Sequence, residues 1–495
     1  MKYRKPGLDF WDAWFLQRDG EVHAFHMQVP DGTVSFSEEE GRSVGHLTSK
    51  DLLHWTFRGN VLEPLMDPDR PQDFHQKFTG CAFCKDGITY LYYTMRDRES
   101  CSQRIGLATS GNGFDFKLYP GNPVIEPDPS VLIGFANRDT FQFDPVVDCR
   151  DLIVVKDPDS PYYYGYFAAG ADVGRVSPVG VIAVCRSTDL IHWTDQAIAY
   201  VPPVNGVIEV PDVYRIGDKW YLTVLCGANY TGRSAIPDDY VTNATLYAVA
   251  DSPAGPFVHT DDCLFLGGTI GSGFTCRTVE WEGKRYVLYV DRASGGNSLA
   301  LPKEVRLVDG CLRPVYTDRL ASLRTGERTV LGVTPHQNAF AWNSVGGWQE
   351  KSGDGISLRT EGRSAHFTEL SLSGSPDGSG NCEILCTMSP NAKASGIVFY
   401  MDGQPYTVSL EPSRKRILLL KTYTMDFVAG RELKAEGKSA YELRVLVVDG
   451  VLEAYLDGVL LLQAAVPKAS DVRPGLFCED GSCTFRNVHV YTLEA

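Results

Sequence analysis

No stretch of this 495-residue chain approaches the roughly 20 consecutive apolar residues of a membrane helix, so a membrane is a poor partner for it. Positive charge is also in deficit. The 47 Lys and Arg residues stand against 62 Asp and Glu, a formal net charge of -15. Such a surface repels phosphate backbones and anionic lipid, which argues against nucleic acid and says little about a neutral sugar. The opening MKYRKPGLDFWDAW lacks the apolar segment of a secretory signal, so a cytoplasmic location is expected. Cysteine lacks a disulfide framework. There are 13, an odd number without regular spacing, which fits a reduced intracellular chain. Cys81 with Cys84, and Cys478 with Cys483, lack the second pair of a zinc ribbon and read as buried strand cysteines. His23, His26, His46 and His75 show no paired ligand spacing and read as structural or subsite residues. No metal and no cofactor is expected. Helical apolar periodicity does not persist anywhere between the strand-like runs, which excludes an α/β fold.

What is present is a repeat. A polar turn followed by an aromatic strand reads RDGEVHAFHMQ from Arg18, KDGITYLYYTM from Lys85 and PDSPYYYGYFA from Pro158. It continues as IGDKWYLTVLC from Ile216 and WEGKRYVLYVD from Trp281. A second element follows in four units: GHLTSKDLLHWTF, IGLATSGNGFDFKLY, VIAVCRSTDLIHWTD and LYAVADSPAGPFVHT. The fifth unit ends instead in LALPKEVRLVDGCLRPVY. Several β-branched and aromatic strands per unit, at a period of roughly 40–65 residues, predict an all-β five-bladed propeller over residues 1–324. WD-type signatures are missing, which argues against a protein-interaction propeller. Residues 325–495 open with a Gly/Ser/Thr-rich connection and continue as strand-like runs. Asp449-Gly450 and Asp457-Gly458 are hairpin signals there, and the region predicts a β-sandwich.

In a propeller the first strand of each blade lines the central channel. The same slot, shortly before each polar turn, holds Asp12, Thr79-Gly80, Asp151, Glu209 and Phe274-Thr275 in the five units. Three of these slots carry a carboxylate. Acids converging on one channel repel each other and lose hydration, a cost that chemistry can justify. Glycoside cleavage needs such a set: an acid for the leaving oxygen, a second carboxylate for the anomeric carbon or a water, and a charge to stabilise the cationic transition state. Each acid also has a plainer reading. Asp12 could cap a turn, although Trp11, Trp14 and Phe15 beside it suggest a stacking surface. Asp151 could simply pair with Arg150, and Glu209 could be a strand-edge charge. Asp139 in NRDTF is a rival Arg-Asp pair outside the register, and Asp212 reads as a support in the substrate-binding set.

The same residues resemble glycoside hydrolase families 32 and 68, fructan-active retaining enzymes on five-bladed propellers. WDAWFLQ is similar to the family 68 nucleophile segment Trp-Asp-Ser-Trp. GHLTSKDLLHW is similar to the family 32 pattern His-Ala-X-Ser-X-Asp-X-X-X-Trp, and LALPKEVRLVDG to its closing Leu-Pro-Arg-Glu element. FTGCAF stands where family 32 has Ser-Gly-Ser. The resemblance implies Asp12 as nucleophile, Asp151 as transition-state stabiliser and Glu209 as acid/base. It implies Trp11, Gln28, Thr79 and Arg150 as substrate-binding residues. The chain departs from family 32 in having WDAW for Asn-Asp-Pro-Asn, Arg150-Asp151-Leu152 for Arg-Asp-Pro, and Glu209-Val210 for Glu-Cys. These neighbours bear on which sugar is bound.

The C-terminal runs VLEAYLDGVLLL and RPGLFCEDGSCTFRNVHVY resemble a concanavalin-type jelly roll. The expected function is retaining hydrolysis of β-fructofuranosides of the sucrose or fructo-oligosaccharide type, with a small carbohydrate as partner. Transfer to an acceptor sugar would share the same intermediate. Inverting arabinofuranosidase-like hydrolysis of the family 43 and 117 type stays open, as does a non-catalytic sugar-binding propeller. Carboxylates about 5–5.5 Å apart would go with retention and about 6.5–9.5 Å with inversion. The sequence is compatible with a homo-oligomer.

Overall fold

The computed structural model describes residues 2–31, 42–64, 77–96, 102–133, 148–175, 178–203, 208–227, 243–268, 274–293, 296–336, 347–360, 364–374, 378–422, 426–434 and 437–494. Asp139 and His75 lie outside them.

Asp-Gly turns set the register of the hairpins. In RDGE, Asp19 and Gly20 both take positive φ, 49° and 78°, the conformation a two-residue hairpin turn requires. Asp86-Gly87 repeats this at 51° and 77°, as do Asp449-Gly450 and Asp457-Gly458 in the C-terminal region. The first repeat thus folds as β1 (Leu8–Arg18), β2 (Glu21–Pro30), β3 (Ser43–Ser49) and β4 (Thr56–Leu62), an antiparallel four-stranded sheet. The second gives β5 (Phe78–Lys85), β6 (Ile88–Arg96), β7 (Gln103–Ser110) and β8 (Lys117–Leu118). The third gives β9 (Cys149–Lys156), β10 (Tyr163–Ala171), β11 (Val179–Ser187) and β12 (Thr194–Tyr200). The fourth gives β13 (Glu209–Ile216), β14 (Lys219–Gly227), β15 (Asn243–Ala250) and β16 (Val258–Gly268).

The repeated TSKDLLHW and RSTDLIHW motifs fold alike because their side chains replace missing backbone partners. Asp51 accepts from the Leu53 and His54 N–H groups, and Asp189 from those of Ile191 and His192. Each turn drives a leucine, Leu52 or Leu190, into the core with positive φ.

The propeller arrangement holds, but the expectation of five separate blades is corrected. Four repeats form four-stranded sheets of their own. The strands of the last repeat are β17 (Phe274–Trp281), β18 (Lys284–Ala293), β19 (Gly296–Leu299), β20 (Lys303–Val308) and β21 (Cys311–Val315). They belong to an 18-stranded sheet that continues through the C-terminal region. Leu301-Pro302 interrupts this repeat, so β18 pairs with both β19 and β20. Its outer strand does not end in solvent. Val315 of β21 pairs with Val459 of the strand Val459–Ala465, so the C-terminal strands join the edge of that strand at this one pair. The large sheet folds over a core containing Ile384, Phe399, Val445, Leu452 and Phe485, in keeping with a sandwich.

Apolar clusters lie between repeats rather than within them. Phe10, Phe15 and Leu47 of the first repeat pack with Val279, Trp281 and Leu288 of the last, closing a ring. The first strands β1, β5, β9, β13 and β17 therefore stand side by side around one axis.

Candidate active site

Every one of these first strands carries a bulge at, or in β13 directly after, the slot marked by the sequence. In β1 the pairing with β2 skips Asp12, and in β5 the pairing with β6 skips Thr79. The register breaks again at Asp151-Leu152 in β9, Val210-Pro211 in β13 and Thr275-Cys276 in β17. Four of the bulge residues have positive φ: Asp12 at 49°, Asp151 at 61°, Val210 at 49° and Thr275 at 53°. For β-branched Val210 and Thr275 this is a strained conformation, of order 1–3 kcal/mol each. Gly80 serves the remaining bulge, where a Cβ would run into the Tyr92 carbonyl oxygen. A bulge takes one residue out of the ladder and re-aims its side chain, which is how an inner strand can turn a carboxylate toward an axis. Glu209 differs slightly from the expected slot. It precedes the bulge residue Val210, and because successive strand residues face opposite sides, Val210 is buried while Glu209 stays partly exposed.

A hydrogen-bonded chain joins the acids from strand to strand. The Thr79 hydroxyl donates to Asp12. The Thr94 hydroxyl of β6 donates to the Thr79 carbonyl at 2.7 Å and accepts from the Asp151 N–H at 3.0 Å. The Asp151 carboxylate accepts from the Val210 N–H at 3.0 Å. Arg150 reaches Glu209 Oε1 at 3.2 Å and lies 3.6 Å from Asp151 Oδ2. Burial pushes Asp151 up to about 7; Arg150 opposes this, while the Glu209 and Asp12 charges add to it. A carboxylate so placed gains from any positive charge that develops beside it.

The remaining expected residues divide. Trp11 is partly exposed, with the buried Arg42 guanidinium 5.1 Å from its ring and 4.7 Å from that of Phe78. Burial and neighbouring Arg96 bring Arg42 down to about 10, against the Asp12 charge. Gln28 is buried, and its amide nitrogen donates outward along the first blade to Ser43 at 3.1 Å and Asn60 at 2.6 Å. Asp212 is buried and accepts from the Thr278 N–H at 2.7 Å, so it joins β13 to β17.

Sequence reasoning missed Thr94, Arg277, Arg42 and Asp148. Arg277 is almost wholly buried and donates to the backbone carbonyls of Pro211 and, at 2.9 Å, Asp151. It thereby fixes two bulges from a third strand. The signal for it was an arginine two residues past the fifth slot, where the surrounding residues are apolar or small.

A family model for the glycosyl hydrolases family 32 N-terminal domain matches residues 14–263, just over half of the chain. The chain belongs to glycosyl hydrolase family 32. The stretch matched in this family 32 protein contains Asp151 and Glu209 and begins just after Asp12. The sucrose-6-phosphate hydrolase of Pediococcus pentosaceus is 27% identical over 331 residues, 63% of this chain and 60% of that enzyme. The levanbiose-producing levanase of Bacillus subtilis is 24% identical over 224 residues, 43% of this chain and 37% of that enzyme. More than a third of each relative's own length is thus unmatched. Solved structures share the fold. A Bombyx mori β-fructofuranosidase superposes with a TM-score of 0.66 at 18% identity, over 99% of this chain and 94% of its own. Fructan 1-exohydrolase IIa from Cichorium intybus gives 0.67 at 14% identity, over 100% and 96%.

Proposed function

We propose that this family 32 chain hydrolyses β-fructofuranosides of the sucrose or fructo-oligosaccharide type with retention of configuration. The observation that carries the reading is the linkage of Asp12, Asp151 and Glu209 through Thr79, Thr94 and Arg150. Relatives named for sucrose 6-phosphate, levan and fructan support the furanoside class.

In the first step the protonated Glu209 carboxyl gives its proton to the glycosidic oxygen, and the Asp12 carboxylate forms a bond to the anomeric carbon as the bond to that oxygen breaks. The leaving alcohol departs neutral. Asp151 faces the positive charge that develops on the ring. In the second step Glu209, now a carboxylate, takes a proton from water, whose oxygen bonds the anomeric carbon and releases Asp12. Trp11 would offer an apolar face to the sugar, and Thr79 holds the nucleophile by its hydroxyl.

The test is fructose release from sucrose, short inulin and levan oligosaccharides, with Glu209→Gln as the blank and the product anomer followed early by NMR. Fructose of retained configuration, lost in the variant, is the expected result. An inverted anomer would move Asp12 to a general-base role. Silence on every fructoside would refute the substrate class.

A further inference from the structure

Arg150 is engaged at both ends of its guanidinium. One nitrogen, Nη2, contacts Glu209 at 3.2 Å, and Nε lies 3.6 Å from Asp151. The opposite nitrogen, Nη1, pairs with Asp148 Oδ1 at 2.8 Å and has the Gln103 amide oxygen at 3.4 Å. Asp148 directly precedes β9 and is buried, at 1% exposure. Among the described residues no cation other than Arg150 acts on it, and no other side-chain or backbone donor serves its oxygens. A buried carboxylate in this position is costly unless its charge is used.

A lone cation 3.2 Å from Glu209 would favour the ionised carboxylate, whereas the acid step needs that carboxyl protonated. We propose that Asp148 is a positioning residue that holds the far end of the Arg150 guanidinium and shares its charge, so that Glu209 keeps its proton until the glycosidic oxygen arrives. This inference rests on the acid/base role given to Glu209. The groups around Glu209 fit it. Asp148, Arg150 and Asp151 face it from the β9 side, with Gln103 and Arg104 of β7 behind them. Arg277 approaches from β17 but is turned to the carbonyls of Pro211 and Asp151. Asp212 on its own strand pairs with the Thr278 N–H, and Asp12 lies across the ring. From β14 comes Leu225, the cross-strand partner of Glu209, which carries no charge. The alanine-rich end of β10 adds no charge. Burial pushes Asp148 up while the Arg150 charge draws it down; ionised, Asp148 is the anion that balances Arg150 without itself standing beside the reacting bond.

The experiment is Asp148→Asn in the full chain, with two readouts. The first is a carbon-13 NMR titration of carboxyl-labelled glutamate, with the Glu209 signal assigned by its loss in Glu209→Gln. The Glu209 midpoint should fall by about half to one pH unit when the balancing charge is removed. The second is the pH profile of kcat/KM on sucrose or 1-kestose, whose alkaline limb should fall by the same amount while the acid limb stays. An unmoved Glu209 midpoint, or uniform loss of activity with both limbs in place, overturns the inference. Should Asp148→Asn not fold, Asp148→Ser removes the charge with less bulk. Labelled aspartate in the unaltered protein gives a test without any variant: Asp148 must ionise below the Glu209 midpoint, and an Asp148 still protonated there overturns the idea. The NMR titration needs no substrate. A chain that releases no fructose but shows the shifted midpoint refutes the fructoside reading and leaves the Arg150 arrangement standing.

Discussion

Thr79 and Asp12 sit on neighbouring first strands, each left out of its ladder by a bulge, and the threonine hydroxyl donates to the aspartate. A hydrogen bond to a charged group is worth about 1.5–3 kcal/mol, and it favours the ionised carboxylate that attack requires. Thr79→Val should therefore lower kcat/KM by about ten- to a hundredfold. The acid limb of the pH profile should move upward, since the ionised nucleophile has lost a donor. Thr79→Ser should behave like the unaltered protein. Steady-state kinetics across pH checks this, and a Thr79→Val enzyme of full activity would remove Thr79 from the site.

Asp151 gives a stability prediction with a definite sign. Its folded-state pKa, about 7, lies above the ordinary carboxylate value of 3.8 because of burial and the charges of Glu209 and Asp12. Between those two pH values the folded protein holds a proton that the unfolded chain releases, so this group's contribution to stability declines as pH rises through the window. Asp151→Asn keeps an oxygen for the Val210 N–H and abolishes the titration. The variant should lose turnover yet melt higher than the parent at pH 8, with the gap closing toward pH 4. Thermal melts at both pH values decide it; an Asn variant that melts lower at pH 8 would contradict the assignment.

Arg277 offers a test of how the bulges are held. Replacing it by methionine leaves the carbonyls of Asp151 and Pro211 without their donor and removes the cation nearest buried Asp212. The cost of one buried unsatisfied group is about 1–3 kcal/mol, so Arg277→Met should lose about 2–5 kcal/mol in urea unfolding. Arg277→Lys, which can serve one carbonyl, should fall between the two. Equal stability of all three would show that the bulges hold themselves.

The last repeat is locked to the C-terminal strands by an ion pair wholly removed from water. Lys303 of β20 contacts Glu453, which also accepts from the Tyr455 hydroxyl at 2.7 Å. Glu453→Gln strands the lysine charge and should cost about 3–5 kcal/mol, read as a lower Tm by calorimetry. The double variant Lys303→Met with Glu453→Leu should recover most of that loss. A double variant as unstable as the single one would mean that packing, not charge, is at stake there.

Much of this was legible in sequence because it is local chemistry. The Asp-Gly turns needed positive φ, and RDG, KDG and VDG announced hairpins wherever they stood. The slot shared by Asp12, Thr79, Asp151 and Thr275 was legible as well, since each repeat counts back from its own turn. The placement of Glu209 one residue before its bulge was not, because a bulge is invisible to a strict alternation of faces. For Gln28 the sequence could not show that its amide nitrogen donates to Ser43 and Asn60, partners set only by how β2, β3 and β4 align.

The sequence by itself determined an all-β repeat, its turns and the slot before each turn that holds an acid in three repeats, because those depend on residues a few positions apart. Tertiary structure alone decided that the fifth repeat shares a sheet with the C-terminal strands, through Val315 and Val459. It alone brought Glu209 onto the guanidinium of Arg150, 59 positions away, that Asp148 holds from two residues off. Edge pairing and charge sharing act between segments distant in the chain, and their partners become neighbours only when the ring of first strands closes.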